Sequence, residues 1–109
     1  MPVFRYSEQE LIPMFDNTLM RRNLARGGKL MMIEVEIPKG SLAPPHSHAH
    51  EQATYLLEGS AEARVGAERF VLKPGDSIYI ASGVEHEVHA LEDCRLLDVF
   101  SPQREDLLK

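Results

Sequence analysis

Residues 46 to 52 read HSHAHEQ and contain several side chains that could bind a metal ion. His46, His48, His50 and Gln52 occupy alternate positions, so on a straight strand they would lie on one face. A rise of roughly 3.3 Å per residue would then separate His46 from Gln52 by about 20 Å, too far for ligands of one ion. His46 and His48 can converge on an ion, whereas a further ligand from this stretch requires a bend between His48 and Gln52.

The size and charge of the chain limit the possible functions. Its 109 residues predict one small domain with a modest core, for which self-association is expected. The net charge of −5 and the absence of basic clusters argue against nucleic acid and anionic membranes as partners. Cys94 is the only cysteine, and no secretory signal or membrane-spanning run is present. We therefore expect a soluble, cytoplasmic protein.

The elements that must position these side chains are mostly strands. Short apolar or alternating segments, separated by Gly, Pro and Asp turns, predict an all-β sandwich or barrel. In the single domain 1–109, we expect a strand and turn segment over 1–29, a barrel over about 30–100 and a tail over 101–109. Ser7 to Glu10 could cap a short turn that Pro13 ends. The predicted strands are 30–37, 53–59, 61–65, 69–73, 77–82, 85–90 and 95–100.

Two spaced motifs resemble those of the cupin family. The first comprises Gly40, His46, His48, Gln52 and Gly59, and the second comprises Pro74-Gly75-Asp76, Gly83 and His86. Family members usually carry glutamate at the position of Gln52, proline at that of Ala81 and asparagine at that of Ala90. The resemblance implies a small jelly-roll barrel, also called a double-stranded β-helix, whose metal ligands would be His46, His48, Gln52 and His86.

The chemistry of these four side chains suits one divalent transition metal ion, with Zn, Ni, Fe or Mn as candidates. Imidazole binds such ions well, and the amide of Gln52 is a neutral donor. The ion would therefore keep its formal charge of +2, which favours an anionic ligand at the open positions. We expect His50 and Glu51 to be exposed turn residues. We expect His89 to point away from the site, because it has the opposite parity to His86.

A second segment, LLDVFSPQR at 96–104, places Asp98 between apolar neighbours. Leu96, Asp98 and Phe100 would share one face of a strand, and Leu97 and Val99 the other. If Asp98 faces the barrel interior, its carboxylate needs a partner or a chemical task. We favour that orientation, because residues 101–103 could turn the chain back over the barrel opening and the opposite face could be buried in a homodimer.

The spacing of Asp98, Phe100 and Arg104, together with the first histidine motif, resembles the small cupins of pectin and alginate degradation known as KdgF. The resemblance implies a metal-dependent ring opening of 4,5-unsaturated monouronates to their open-chain keto form. It also implies that Asp98, Phe100 and Arg104 are the catalytic or substrate-contacting residues. The expected partners are a small anionic sugar acid and a second copy of the chain.

Two other functions remain open from the sequence. A histidine-rich cupin could be a metal-dependent oxygenase, although non-heme iron sites commonly include a carboxylate ligand where Gln52 stands. Alternatively, the chain could bind a metal and a sugar acid without catalysis. Turnover of an unsaturated uronate without oxygen would separate enzymatic ring opening from both.

Overall fold

In short segments of the chain, inward-facing side chains alternate with outward-facing ones, as is typical of β-strands. In residues 51 to 56, for example, buried Gln52, Thr54 and Leu56 alternate with exposed neighbours. The computed structural model describes residues 2–108. Its strands are β1 (Leu11–Met14), β2 (Leu19–Gly27), β3 (Leu30–Ile37), β4 (Leu42–His46), β5 (Glu51–Glu58), β6 (Ala61–Val65), β7 (Glu68–Leu72), β8 (Ser77–Ile80), β9 (His86–Ala90) and β10 (Cys94–Ser101).

The strands form two antiparallel sheets. One has the order β1-β2-β3-β10-β5-β8 and the other the order β4-β9-β6-β7. Consecutive strands β3, β4 and β5 alternate between the two sheets, as do β8, β9 and β10, which is the connectivity of a jelly roll. The expected all-β jelly-roll fold is therefore confirmed.

The core between the sheets consists of inward-facing apolar side chains. Met31, Ile33 and Ile37 of β3 and Leu56 of β5 are at most 2% exposed. They form one continuous cluster with small residues of the second sheet, such as Ala61. Burial of each large side chain contributes about 1.5–3 kcal/mol to the stability of the fold. The apolar core therefore holds the two sheets together.

Strand β4 was not predicted from the sequence, and β1 and β2 lie in the segment 1–29, where strand and turn structure was expected without bounds. Pro13 lies within β1 rather than ending a turn, and Pro44 and Pro45 lie within β4. Both strands are at sheet edges, where a missing backbone donor is tolerated. In β2, Arg21 is buried, so the strand lacks the apolar alternation that sequence reasoning requires.

The helical structure is limited to the two ends of the described residues. A short 3₁₀ turn spans Tyr6–Glu8, near the predicted cap, and a second spans Glu105–Leu108. Neither turn, and no other part of residues 2–108, forms a helix long and apolar enough to cross a membrane.

A buried carboxylate holds the N-terminal turn against the outer face of the larger sheet. Glu34 is 5% exposed and accepts a hydrogen bond of 2.7 Å from the Tyr6 hydroxyl. Arg22 and Arg95 lie 3.6 and 3.3 Å from its carboxylate oxygens. The hydrogen bond from the Tyr6 hydroxyl to Glu34 raises the pKa of Tyr6. The contacts compensate the buried charge and connect the chain's start to β3 and β10.

The backbone contact at Gly59 yields a test of the fold. Gly59 has a φ of +88°, and a Cβ atom there would lie 2.2 Å from the carbonyl oxygen of Asp93. We expect Gly59→Ala to lower the free energy of unfolding by at least about 2 kcal/mol, measured by denaturant titration. Gly27→Ala is the control, because a Cβ atom there has no neighbour within 4 Å. Equal stability of the two variants would contradict the conclusion that position 59 has no room for a Cβ atom.

Candidate metal centre and cavity

Three histidines converge at one end of the barrel. His46 ends β4 and pairs in register with His86, the first residue of β9, and their ring centroids are 4.2 Å apart. His48 follows in the connection to β5, and one ligand nitrogen from each of the three rings lies within 4.8 Å of the others. The expected bend is present, because β4 ends at His46 and β5 begins at Glu51 in the opposite sheet.

Backbone carbonyls orient all three imidazoles in the same way. Nδ1 of His46, His48 and His86 lies 2.7, 2.9 and 2.9 Å from the carbonyl oxygens of Pro44, His50 and Val84. A carbonyl oxygen can only accept, so Nδ1 carries the proton and Nε2 of a neutral ring keeps a free lone pair. This is the tautomer that metal-binding histidines adopt when their second nitrogen is held by an outer partner.

The environment of His48 and His86 favours the neutral form of both rings. Burial lowers the pKa of His86 to about 4, and burial also lowers the pKa of His48. Nε2 of His86 is buried and has no hydrogen-bond partner among the described residues. An unpaired buried acceptor is costly, and a metal ion bound by the three rings would satisfy it.

Gln52 supplies an oxygen next to this cluster. It is 7% exposed on β5, and its Oε1 is 2.9 Å from Nε2 of His48. Since Nδ1 of His48 already bears the proton of the neutral ring, both atoms are acceptors. Two ligand atoms at right angles, each about 2.1 Å from one ion, would lie about 3 Å apart. The observed spacing therefore fits a shared cation.

A row of hydrogen bonds runs from Gln52 through Thr54 to the carboxylate of Asp98. Nε2 of Gln52 donates to Oγ1 of Thr54 at 2.9 Å, and Thr54 donates to Oδ1 of Asp98 at 2.6 Å. Asp98 pairs in register with Thr54 between the neighbouring strands β10 and β5. By holding the amide nitrogen, Thr54 directs the amide oxygen of Gln52 towards the histidines.

Thr54 was missed by sequence reasoning. It is 2% exposed and has the same strand parity as Gln52, which is the signal that could have identified it. Only the register between β5 and β10 shows that it also meets Asp98.

Asp98 faces the interior, as expected from the sequence. It lines the same cavity as His46 and His86, while Leu97 and Val99 point to the outer face of the sheet. Burial raises its pKa to about 6, although the bond from Thr54 and the charge of Arg104 oppose this shift. It forms no ion pair with any of residues 2–108.

Phe100 and Arg104 complete one side of the cavity. Phe100 is 2% exposed, and its ring centroid is 5.7 Å from that of His48. The guanidinium carbon of Arg104 lies 5.2 Å from the Phe100 ring centroid, consistent with a cation–π contact. Nε and Nη2 of Arg104 donate to Asp106 at 3.1 and 2.7 Å.

The cavity itself joins this polar end to the apolar core. Its volume is about 60 Å³, and both His46 and Arg104 lie in its wall. Its polar groups are therefore concentrated around the histidines and Asp98, as expected of a site that orients a small ligand. The apolar part of its wall includes Leu19, Ile33, Val35, Ile37, Val88 and Leu96.

A strained turn brings a second aromatic side chain to the cavity. Phe15, Asp16 and Asn17, between β1 and β2, have φ values of 48°, 55° and 67°. Such angles are unfavourable for a bulky residue and recur at functional sites. The Phe15 ring lies 5.4 Å from that of His46, and Phe15 lines the cavity with Met14. No sequence signal in the turn had indicated this role.

The two remaining histidines lie outside the ligand group. His89 is exposed on the outer face of β9, as expected. His50 is partly buried rather than exposed, so that expectation was wrong: its carbonyl accepts the bond from His48, which draws the residue inward. Glu51 is exposed and accepts a hydrogen bond of 2.6 Å from the Tyr79 hydroxyl.

Comparison with known proteins identifies relatives of this chain. The profile of the Cupin domain family matches residues 33–100. The chain is 36% identical over 92 residues to "Pectin degradation protein KdgF" of Dickeya dadantii, an alignment that covers 83% of this chain and 84% of the relative.

Solved structures agree with this relationship. KdgF from Halomonas sp. has a TM-score of 0.91 and 29% identity, with 98% of each chain covered. An RmlC-like cupin from Shewanella frigidimarina has a TM-score of 0.89 and 30% identity, covering 96% of this chain and 94% of that one. The chain therefore belongs to the cupin family, and it is similar over most of its length to the pectin degradation protein KdgF.

Proposed function

We propose that this protein is a metal-dependent enzyme that opens the ring of 4,5-unsaturated monouronates derived from pectin or alginate. The observation that carries the proposal is the position of Asp98 in one cavity with His46, His86, Phe100 and Arg104, with His48 beside the other two histidines. The similarity to KdgF over 83% of the chain supports the same substrate class.

The residues at the centre fit a divalent metal ion. His46, His48 and His86 would bind it through Nε2, and Gln52 through Oε1, because these are the atoms left free by the outer hydrogen bonds. A bound ion would supply Lewis-acid stabilisation of the negative charge that develops on oxygen during ring opening. The neutral donor set leaves the charge of the ion uncompensated, which favours an anionic substrate.

Asp98 is the proposed proton-transfer group. Ring opening breaks the bond between the anomeric carbon and the ring oxygen as the anomeric hydroxyl loses its proton. The resulting enolate becomes the keto form when the adjacent ring carbon gains a proton, so the reaction is an isomerisation without net loss of atoms. Asp98 can accept and return that proton, because it faces the cavity and has no ion-pair partner among residues 2–108.

Arg104 and Phe100 are proposed to hold the substrate. The guanidinium of Arg104 would bind the uronate carboxylate, for which its planar fork is well suited. Asp106 occupies that fork in the present structure, so the substrate must share or replace this contact. Phe100 supports the guanidinium and presents an apolar surface beside His48.

The ligand assignment predicts metal content. The double variant His46→Ala/His48→Ala should fall from about one bound ion per chain to less than about a tenth, because two of the four donors are lost. Elemental analysis after dialysis would measure this. His89→Ala is the matched control, since that ring is exposed on the outer face. Full occupancy in the double variant would refute the assignment.

The role of Asp98 predicts a loss of turnover without a loss of metal. Asp98→Asn preserves the shape of the side chain but not its proton transfer, so kcat should fall about 10²–10⁴-fold. The assay follows the loss of the conjugated-alkene absorbance of an unsaturated monouronate, with and without oxygen. Asp93→Asn, an exposed change beyond the other end of β10, should leave kcat unaltered.

Three outcomes would contradict this function. Wild-type turnover by Asp98→Asn would remove its proton-transfer role. Turnover that requires oxygen would favour an oxygenase. A metal-loaded parent protein that binds uronates but does not convert them would favour a binding module.

We further infer that two copies associate through the outer face of the larger sheet. Val99 pairs in register with Met32 on one side and Ala53 on the other, and Ala53 pairs with Tyr79. These outward residues form an apolar row across four strands, in which Tyr79 is 61% exposed. A row of this kind on a small chain is suited to a twofold symmetric contact.

Light scattering at micromolar concentration would test this association. The parent protein should have about twice the chain mass of 12.3 kDa. Tyr79→Arg should shift the mass to the monomer, because it places a charge in the apolar row. Val71→Arg, at a 57% exposed position of the smaller sheet, should remain dimeric. A monomeric parent would refute the inference.

A further inference from the structure

A buried arginine outside the cavity has no role in the proposed chemistry. Arg21 of β2 is 6% exposed, and burial lowers the pKa of its guanidinium. Its Nη2 donates to the carbonyl of Leu107 at 2.8 Å, its Nε to Oδ1 of Asn23 at 3.3 Å and its Nη1 to the carbonyl of Pro13 at 3.5 Å. It forms no ion pair with a carboxylate within residues 2–108. A buried charge bonded only to neutral acceptors is costly and calls for an explanation.

Both Arg21 and its neighbour Asn23 bind the same carbonyl at the C-terminal end of the chain. Nδ2 of Asn23 donates to the carbonyl of Leu107 at 3.0 Å, beside the bond from Arg21. The Leu107 side chain is 8% exposed and belongs to the core cluster. The 3₁₀ turn Glu105–Leu108 is thus anchored to β2 by two hydrogen bonds and by one buried side chain.

Arg104 immediately precedes this anchored turn. The backbone N–H of Leu107 donates to the carbonyl of Arg104 at 3.0 Å, which closes the turn. The Arg104 side chain is 14% exposed, and its other contacts are the Phe100 ring and Asp106 in the same turn. The position of its guanidinium over the cavity therefore depends on where the turn is held.

We propose that Arg21, assisted by Asn23, is a positioning residue that holds Arg104 over the cavity for an anionic sugar ligand. This inference rests on the proposed function for the identity of the ligand. Arginine suits the task because its fork reaches Leu107, Asn23 and Pro13 at once, whereas lysine offers a single ammonium group.

The proposal explains how segments outside the common cupin barrel contribute to specificity. The family profile covers residues 33–100, which include the three histidines, Gln52 and Asp98. Arg104 follows that range, and β1 and β2 precede it. Arg21 joins these two outer segments, so the ligand's anionic group is recognised by parts of the chain that the barrel alone does not position.

The test compares Arg21→Met and Arg21→Lys with the control Arg26→Met in the metal-loaded full chain. Arg26 lies on the same strand and forms no ion pair within residues 2–108, and its guanidinium carbon is 5.3 Å from the Phe4 ring centroid. In Arg21→Met, backbone amide exchange in residues 105–108 should accelerate by about tenfold or more, since the turn loses its anchor. Exchange in β5 and β9 should stay at the parental rate.

A second measurement follows the ligand without requiring turnover. Calorimetric affinity for galacturonate, a saturated monouronate, should weaken about tenfold in Arg21→Met. It should recover partly in Arg21→Lys and stay unchanged in Arg26→Met. With an active parent, KM for the unsaturated uronate should rise similarly while kcat changes less than about twofold.

The results separate this inference from the proposed function. Faster exchange and weaker binding in Arg21→Met support positioning even if the parent proves inactive on unsaturated uronates. Unchanged exchange in residues 105–108, or unchanged affinity despite faster exchange, would overturn it, as would a parent that binds no uronate. If Arg21→Met does not fold, Asn23→Ala should show the same changes to a smaller extent, and parental exchange in that variant would overturn the proposal.

Discussion

Three hydrogen bonds from imidazole Nδ1 atoms to backbone carbonyls determine what the centre of this protein can bind. They leave Nε2 of His46, His48 and His86 free to bind, and one ligand nitrogen from each ring lies within 4.8 Å of the others. Without them, each ring could rotate or change tautomer, and the cluster would lose its common orientation. The backbone of β4, of the following bend and of the segment before β9 is thus part of the site as much as the side chains are.

The opposite sheet completes this arrangement through a row of polar side chains. Thr54 holds the amide nitrogen of Gln52 and the carboxylate of Asp98 at the same time. The orientation of the candidate metal ligand is therefore coupled to that of the proposed proton-transfer group. Such a row is stable inside an apolar cavity only because each of its members has a partner. Its position between β5 and β10 is possible because these strands are direct neighbours.

Local sequence patterns predicted much of this site. The spacing of His46, His48 and Gln52 required a bend, and the structure contains it between β4 and β5. The parity of Asp98 and Phe100 predicted that they share one face, and both side chains have the inward orientation that we favoured. Sequence reasoning missed the bounds of the edge strands β1 and β4, because proline usually indicates a turn. It also missed those of β2, because a charged residue such as Arg21 is usually expected to be exposed.

The sequence by itself thus determined the strand periodicity and the shared face of Asp98 and Phe100 on β10, because these depend on neighbours along the chain. Its resemblance to the cupin family supplied the four candidate ligands. Tertiary structure alone decided that Thr54 meets Asp98, that Phe15 lies beside His46 and that Arg21 binds the carbonyl of Leu107. Arg21 and Leu107 are 86 residues apart in the sequence. Such contacts depend on strand register and on how the termini pack across the sheets, and the pattern within any one segment carries no information about its distant partner.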